Sequence, residues 1–350
     1  MVNMPNITKS QHYVPRFYLR TWKNQDGKIE VKLGQDKTFS SVPEGIAQEN
    51  YFYQCPNLLC DEIFFVCSWM QKKGFPIDSI QKHITSSIFP NLLCPRINNY
   101  APNDLNKIIT LLAKNSWINQ QEFYEYCHIC NSMQARCNVD QTICETCPIN
   151  KLIKEGEECV NSFVESEFLP YYNKCLENDT SFVCATEGFD VFSCYMVHQF
   201  FRTPKYMNLF NCSPNSRFDD EAWKRIRSLL RLPLISFVHN VIIQHKNDYV
   251  FKFINNPTSE EFLSGDQPII NLCSKIVDNA PAFFDLYFPL SPTMAIMLLK
   301  RVQLTSYPFL DNTLNIEDVQ YLNKSLSSAC SSQIYASNRN VLQHYYAGMS

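Results

Sequence analysis

Residues 189–202 read FDVFSCYMVHQFFR, and no other stretch restricts the fold as much. Wound into a helix, this stretch is apolar on nearly every side, so other elements must enclose it. Its few polar groups share one face: Tyr195, His198 or Gln199, and Arg202 follow i, i+3/i+4, i+7. An unpaired buried guanidinium is very costly, so an acid or an anion must meet this stripe. Asp266 and Glu187 are the internal candidates, and an anionic ligand is the other solution.

The 350 residues are enough to build such an enclosure, as one large domain or two. Apolar residues make up 45% and charged residues 19%, a globular composition. Gly is scarce, at 8, and neither a GxGxxG nor a GxxxxGK[ST] loop occurs, which argues against dinucleotide-binding and P-loop enzymes. The net charge of −3 argues against unselective coating of nucleic acid. The opening residues carry no secretory leader pattern, and no run of about 18 apolar residues is present. The closest run, 232–243, is short and includes His239 and Asn240. The expectation is a cytoplasmic protein without a membrane partner.

Coarse patterning predicts an α+β fold: a mixed helical core with short antiparallel strands. In residues 28–34, Ile29, Val31 and Leu33 alternate as in a half-buried strand, and residues 37–45 can pair with it as a hairpin. Residues 155–245 read as helical, with a kink expected near Pro233. Residues 248–350 return to strands, with a hairpin through residues 291–293 and a last helix capped by Asn315. Within 55–154, Leu105, Ile108, Ile109 and Leu112 mark one helix, with Asn103 as its expected cap. The basic residues Lys224, Arg227 and Arg231, with Arg225 beside them, read as a solvated face or as phosphate contacts.

Residues 55–154 hold nine Cys and read as a Cys-rich insert between an N-terminal part of the core, 1–54, and its remainder, 155–350. Cys127 with Cys130 and Cys144 with Cys147 are two C-x2-C pairs separated by thirteen residues. Each pair can aim two thiolates at one ion, and together they close a tetrahedral S4 shell suited to structural Zn2+. An iron–sulfur cluster and free thiols are the alternatives, and Cys137 or His128 can replace a ligand. Cys55, Cys60, Cys67 and Cys94 match no metal spacing and read as buried thiols, with a second metal site as the alternative.

The opening stretch QHYVPRFYLRTW resembles the N-terminal signature of the family known as domain of unknown function 4238. Further landmarks follow in order: YFYQ at 51–54, HQFFRTPKYMN at 198–208, FLSGDQPII at 262–270, YFPLSPTMAIML at 287–298, and Asn323. Gly265 stands where members usually carry Ser, and the Cys-rich insert is not a general feature of the family. The resemblance brings no activity with it, but it singles out His12, Arg16, Gln199, Arg202 and Asp266. Gathered in one pocket, they would supply an acid or base, two phosphate-gripping cations and a carboxylate that orients the His or binds Mg2+ or Mn2+. Tyr13, Phe17 and Tyr18 would stack a base or anchor the segment in the core.

Two functions follow. One is a hydrolase of nuclease or phosphodiesterase type, acting on nucleic acid or nucleotides beside a structural zinc. The other is a non-catalytic, zinc-stabilised interaction protein in which the same residues form a structural network and the Cys-rich insert meets a protein partner.

Overall fold

A computed structural model describes residues 9–54, 58–90, 102–118, 148–209, 218–273, 276–277, 280–281, 283–311 and 313–348. The candidate zinc ligands Cys127, Cys130, Cys144 and Cys147 lie outside these residues, as do Cys55, Cys94 and Cys137. The fold is mixed α+β with antiparallel sheets. By compactness the chain divides into two units. The first comprises residues 1–11, 50–162 and 210–234, and the second 12–49, 163–209 and 235–350.

Helices build the first unit: α1 (Cys60–Lys72), α2 (Ile77–His83), α3 (Pro102–Lys114) and the parts of two long helices, Pro148–Leu176 and Asp220–Gln244, that fall in its segments. Its core joins Ile63, Val66 and Met70 of α1 to Ile108 and Leu112 of α3, and to Ile226 and Leu229. Ile108 and Leu112 therefore face inward, as their spacing requires. The expected cap is displaced: α3 begins at Pro102, which suits a first helical position because its missing N–H would be unpaired there anyway. Cys67 is buried, and burial pushes its thiol up to about 12, as befits an inert core residue.

The basic face turns out to be largely interior. Arg227 and Arg231 are buried, and Arg231 pairs with Glu157. Arg225 holds the buried Glu62 through two nitrogens, at 2.7 and 3.0 Å. Lys224 alone fits the solvated reading, exposed beside Glu221. The helix Asp220–Gln244 continues through Pro233 and is, by length and composition, long and apolar enough to cross a membrane, although its apolar run is broken. Ile226 and Leu229 place one side of it in the core.

The second unit holds two four-stranded sheets. In one, β1 (Ile29–Leu33) lies between β2 (Lys37–Ser41) and the late strand β3 (Gln333–Ala336), which also pairs with the short strand Ser264–Gly265. Gly34 at φ +61° makes the turn into the hairpin. In the other, β4 (Tyr249–Asn255), β5 (Met294–Lys300) and β6 (Leu286–Ser291) are neighbours, with Ile270–Asn271 at the edge. β6 and β5 form the expected hairpin, in register from Leu286 opposite Leu298. Pro289 sits where that register slips, the kind of place a strand tolerates a residue without an N–H. Asn315 caps α4 (Ile316–Ala329), its Oδ1 accepting from the Asp318 N–H at 3.0 Å.

Gly265 has a structural reason. A Cβ built there would lie 2.2 Å from Cys330 Sγ and 2.7 Å from the Gln333 carbonyl oxygen. The large, fully buried Cys330 thiol fills the space that a side chain at 265 would need.

Candidate functional site

The apolar helix of the sequence is α5 (Thr186–Phe201), with Arg202 just beyond its end. Tyr195, His198, Gln199 and Arg202 are all buried. The acid that meets the stripe is Glu165, not Asp266 or Glu187. Arg202 Nη1 donates to Glu165 Oε1 at 2.6 Å, and Nη2 donates to the His12 carbonyl at 2.7 Å. One helical turn back, Gln199 Nε2 donates to the Tyr13 carbonyl at 2.8 Å. The helix end therefore grips the backbone of the opening stretch. Glu165 stays partly open, at 24% exposure, whereas Arg202 is 1% exposed. The Tyr195 hydroxyl and Gln199 Oε1 are buried and have no hydrogen-bond partner among the described residues.

The opening stretch itself is anchored from within. Its residues Arg16–Leu19 form one helical turn. The buried Tyr18 hydroxyl donates to the Pro289 carbonyl at 2.8 Å and lies 2.6 Å from Ser264 Oγ. Phe17 packs edge-on to Tyr172, Tyr18 lies 5.1 Å from the Phe288 ring, and Phe168 stacks on Tyr195 at 3.6 Å. Tyr13 is buried as well. Of the two roles expected for these aromatics, the core takes them.

His12 is half-buried, and the groups acting on its imidazole are Arg16, Arg202, Glu44 and the Ile46 backbone. Burial first, then the positive charges of Arg16 and Arg202, hold its pKa below the usual value, so the ring is neutral at neutral pH. Arg16 is exposed.

Asp266 does not join this group. Its Oδ1 accepts from the Ser331 N–H at 2.7 Å, and its Oδ2 from the Ser332 N–H at 2.7 Å, the Ser332 hydroxyl at 2.9 Å and the Gln333 N–H at 3.0 Å. Both oxygens thus fasten the turn between α4 and β3, and burial raises the carboxyl pKa against these four donors. The structure gives the carboxylate this task, where the sequence suggested orienting His12 or holding a metal. Among the described residues, no group of three or more His, Cys, Asp or Glu side chains is placed to hold a metal ion.

The neighbouring landmarks behave alike. Gln267 accepts from the Thr203 hydroxyl and donates to the Ile269 carbonyl at 2.6 Å, tying the turn after Ser264–Gly265 to the end of α5. Asn323 accepts from the Leu263 N–H at 2.8 Å and donates to the Glu261 carbonyl at 3.0 Å. Sequence reasoning missed Glu165, Thr203 and Gln267 as partners. Thr203 and Gln267 were legible as the neighbours of Arg202 and Asp266, whereas Glu165 had no distinguishing spacing.

Neither the curated proteins nor the solved structures offer a match to this chain. A family model does match it, across residues 10–340 and therefore across every landmark from Gln11 to Asn323, and the chain belongs to the family described as protein of unknown function, DUF4238.

Proposed function

We propose that this chain is a non-catalytic interaction protein whose landmark polar residues hold the fold together. Cys127, Cys130, Cys144 and Cys147 supply a structural zinc site, and the Cys-rich stretch around them meets a protein partner. One observation carries the reading: the Asp266 carboxylate, the best general-purpose catalytic group among the landmarks, is consumed by four donors from a single turn. The Arg202 pairing with Glu165 and the Gln199 grip on Tyr13 are of the same kind. Polar pairings of this sort fix one packing among several apolar alternatives.

A phosphodiester hydrolase is the second reading, and a different observation favours it. A neutral His12 beside exposed Arg16 is equipped to accept a proton next to a bound phosphate. Tyr195 Oη and Gln199 Oε1, without hydrogen-bond partners among the described residues, lie on the helix whose end grips the His12–Tyr13 backbone.

The two are separated by incubating the purified chain with single- and double-stranded DNA, RNA and nucleotides, with and without Mg2+ or Mn2+. The first reading expects no cleavage, together with about one zinc per chain by elemental analysis, lost in Cys127→Ser/Cys144→Ser. Cleavage that disappears in His12→Ala, with unchanged melting, would overturn it in favour of the second.

A further inference from the structure

Two buried titratable side chains stand apart from the pairings described above. In the first unit, His83 lines a cavity of about 100 Å3 with Ser86 and Ser87 of the π-helical turn Ile84–Ile88. In the second unit, Asp285 lies just before β6 and is 0% exposed.

The Asp285 backbone is fixed on both sides. Its N–H donates to Asn271 Oδ1 at 3.0 Å, and its carbonyl accepts from the Leu272 N–H at 2.9 Å. The two carboxylate oxygens are served unequally. Oδ2 accepts from the buried Tyr307 hydroxyl at 2.9 Å, whereas Oδ1 is buried with no hydrogen-bond partner among the described residues. Lys300 sends its ammonium elsewhere, over the rings of Tyr249 and Phe283 at 5.7 and 5.8 Å. An ionised acid at this depth holds a charged oxygen without a donor, which costs far more than a neutral one. A proton on Oδ1 removes the charge and leaves Oδ2 to keep the Tyr307 bond. Burial accordingly raises the carboxyl pKa, against the Tyr307 hydroxyl and the Lys300 backbone, which favour the charged form.

Once the acid is ionised, relief requires water at Oδ1, and the elements around it differ in how readily they yield. β4 and β5 are paired along their length, from Asn255 opposite Met294 to Tyr249 opposite Lys300. Tyr307 instead joins two 3-10 turns, Arg301–Ser306 and Pro308–Leu310, whose hydrogen-bond geometry is poorer than that of an α-helix. The first turn buries no residue and the second only Phe309, so the segment is seated by the Tyr307 and Phe309 rings. Segments with so few buried contacts open before paired strands do.

We propose that Asp285 and Tyr307 form a proton-operated latch, which holds the segment Arg301–Leu310 closed while Asp285 is protonated and releases it when the acid ionises. The other titratable or charged groups near the pair are Tyr249, Asp248, Lys300, Cys273 and Tyr321. Burial pushes Tyr249 up to about 12 and Tyr307 higher still, so neither phenol ionises near neutral pH. The sign follows from the raised acid: the folded chain binds more protons than the unfolded one, so the penalty is absent in acid and complete above the folded pKa.

The test reads amide hydrogen exchange in the full chain between pH 4.5 and 8.5, corrected for the intrinsic rate at each pH. The reporters are the Tyr307, Leu310 and Asp311 N–H groups, bonded within the segment to Leu304, Tyr307 and Pro308. Their protection should fall at least tenfold as pH rises, with the midpoint of the Asp285 carboxyl titration followed by 13C NMR, while amides of β5 keep theirs. Asp285→Asn retains every other titrating group and should abolish the fall. Tyr307→Phe serves should that variant not fold: it keeps the acid, should cut protection at pH 4.5, and should raise the carboxyl midpoint because a bond favouring the charged form is gone. Constant protection in the wild type, an equal fall in Asp285→Asn or in β5, or an unmoved midpoint in Tyr307→Phe would overturn the latch.

Discussion

The polar cluster of the second unit and the cavity of the first contrast in where their hydrogen bonds go. Around α5, the side chains that looked most like catalytic equipment donate to the chain itself: Arg202 to Glu165 and the His12 carbonyl, Gln199 Nε2 to the Tyr13 carbonyl. In the first unit, a histidine with no conspicuous neighbours in sequence keeps Nε2 without a hydrogen-bond partner among the described residues, near two serines on a π-turn. Residue type marks where polarity is buried. The accounting of partners, atom by atom, is what bears on whether a buried polar group is a clasp or a site, since Asp266 meets four donors while Gln199 Oε1 meets none among the described residues.

The sharpest way to break this contrast is Asp266→Ala. The substitution strands three backbone N–H groups, at Ser331, Ser332 and Gln333, that the carboxylate now receives. Hydrogen bonds to a charged acceptor contribute more than neutral ones, and the expected loss is about 4 kcal/mol, read as a lowered urea midpoint at constant slope. Asp266→Asn keeps an acceptor oxygen and should lose roughly half as much. A loss under about 1 kcal/mol for the alanine variant would remove Asp266 from the structural network and reopen its catalytic assignment.

What the sequence leaves unseen at Asp266 is instructive. An Asp after a short strand and before Gln-Pro has the same local signature whether it caps a turn or attacks a substrate. Its partners come 65 to 67 residues later in the chain, and nothing local announces them. Glu165 is a similar case, one acid among Glu155, Glu157, Glu158, Glu165 and Glu167 on a single long helix, of which the fold selects one for Arg202. By contrast, the β1–β2 and β6–β5 hairpins and the Asn315 cap were legible because their signals are local: alternation, a turn, a side chain three residues from its N–H. The apolar helix was legible for another reason, since a sequence without a polar face admits only enclosure. Gly265 fell between the two. The departure from the family's usual Ser was visible in the sequence, but Cys330, the atom that explains it, is brought there by the pairing of Ser264–Gly265 with β3.

Titration sharpens the other half of the contrast. The folded chain holds His83 at about 4, below the 6.5 of an unconstrained imidazole, so the native state binds fewer protons than the unfolded state in between. The stability this contributes is fully present above pH 6.5 and is lost as pH falls through 4. Lowering the pH from 7 to below 4 should cost the wild type about 3 kcal/mol more than it costs His83→Phe, which lacks the titrating group while other carboxylates titrate in both. Parallel stability curves for the two proteins would mean that His83 reaches water.

The smallest effect is expected where the sequence pointed first. The clasp uses the His12 carbonyl, and alanine keeps that carbonyl. The ring is half-buried and its pKa is held below normal, so at neutral pH it forfeits no charge when removed. His12→Ala should therefore change folding free energy by no more than about 1 kcal/mol, against the several that Asp266→Ala loses. A small loss of stability makes His12→Ala a clean reporter, because any activity that vanishes with the ring cannot be blamed on unfolding. A loss as large as that of Asp266→Ala would instead make the imidazole a member of the network in its own right, bonded through Ile46, and the opening QHYVPRFYLR stretch would then be a clasp down to its one titratable ring.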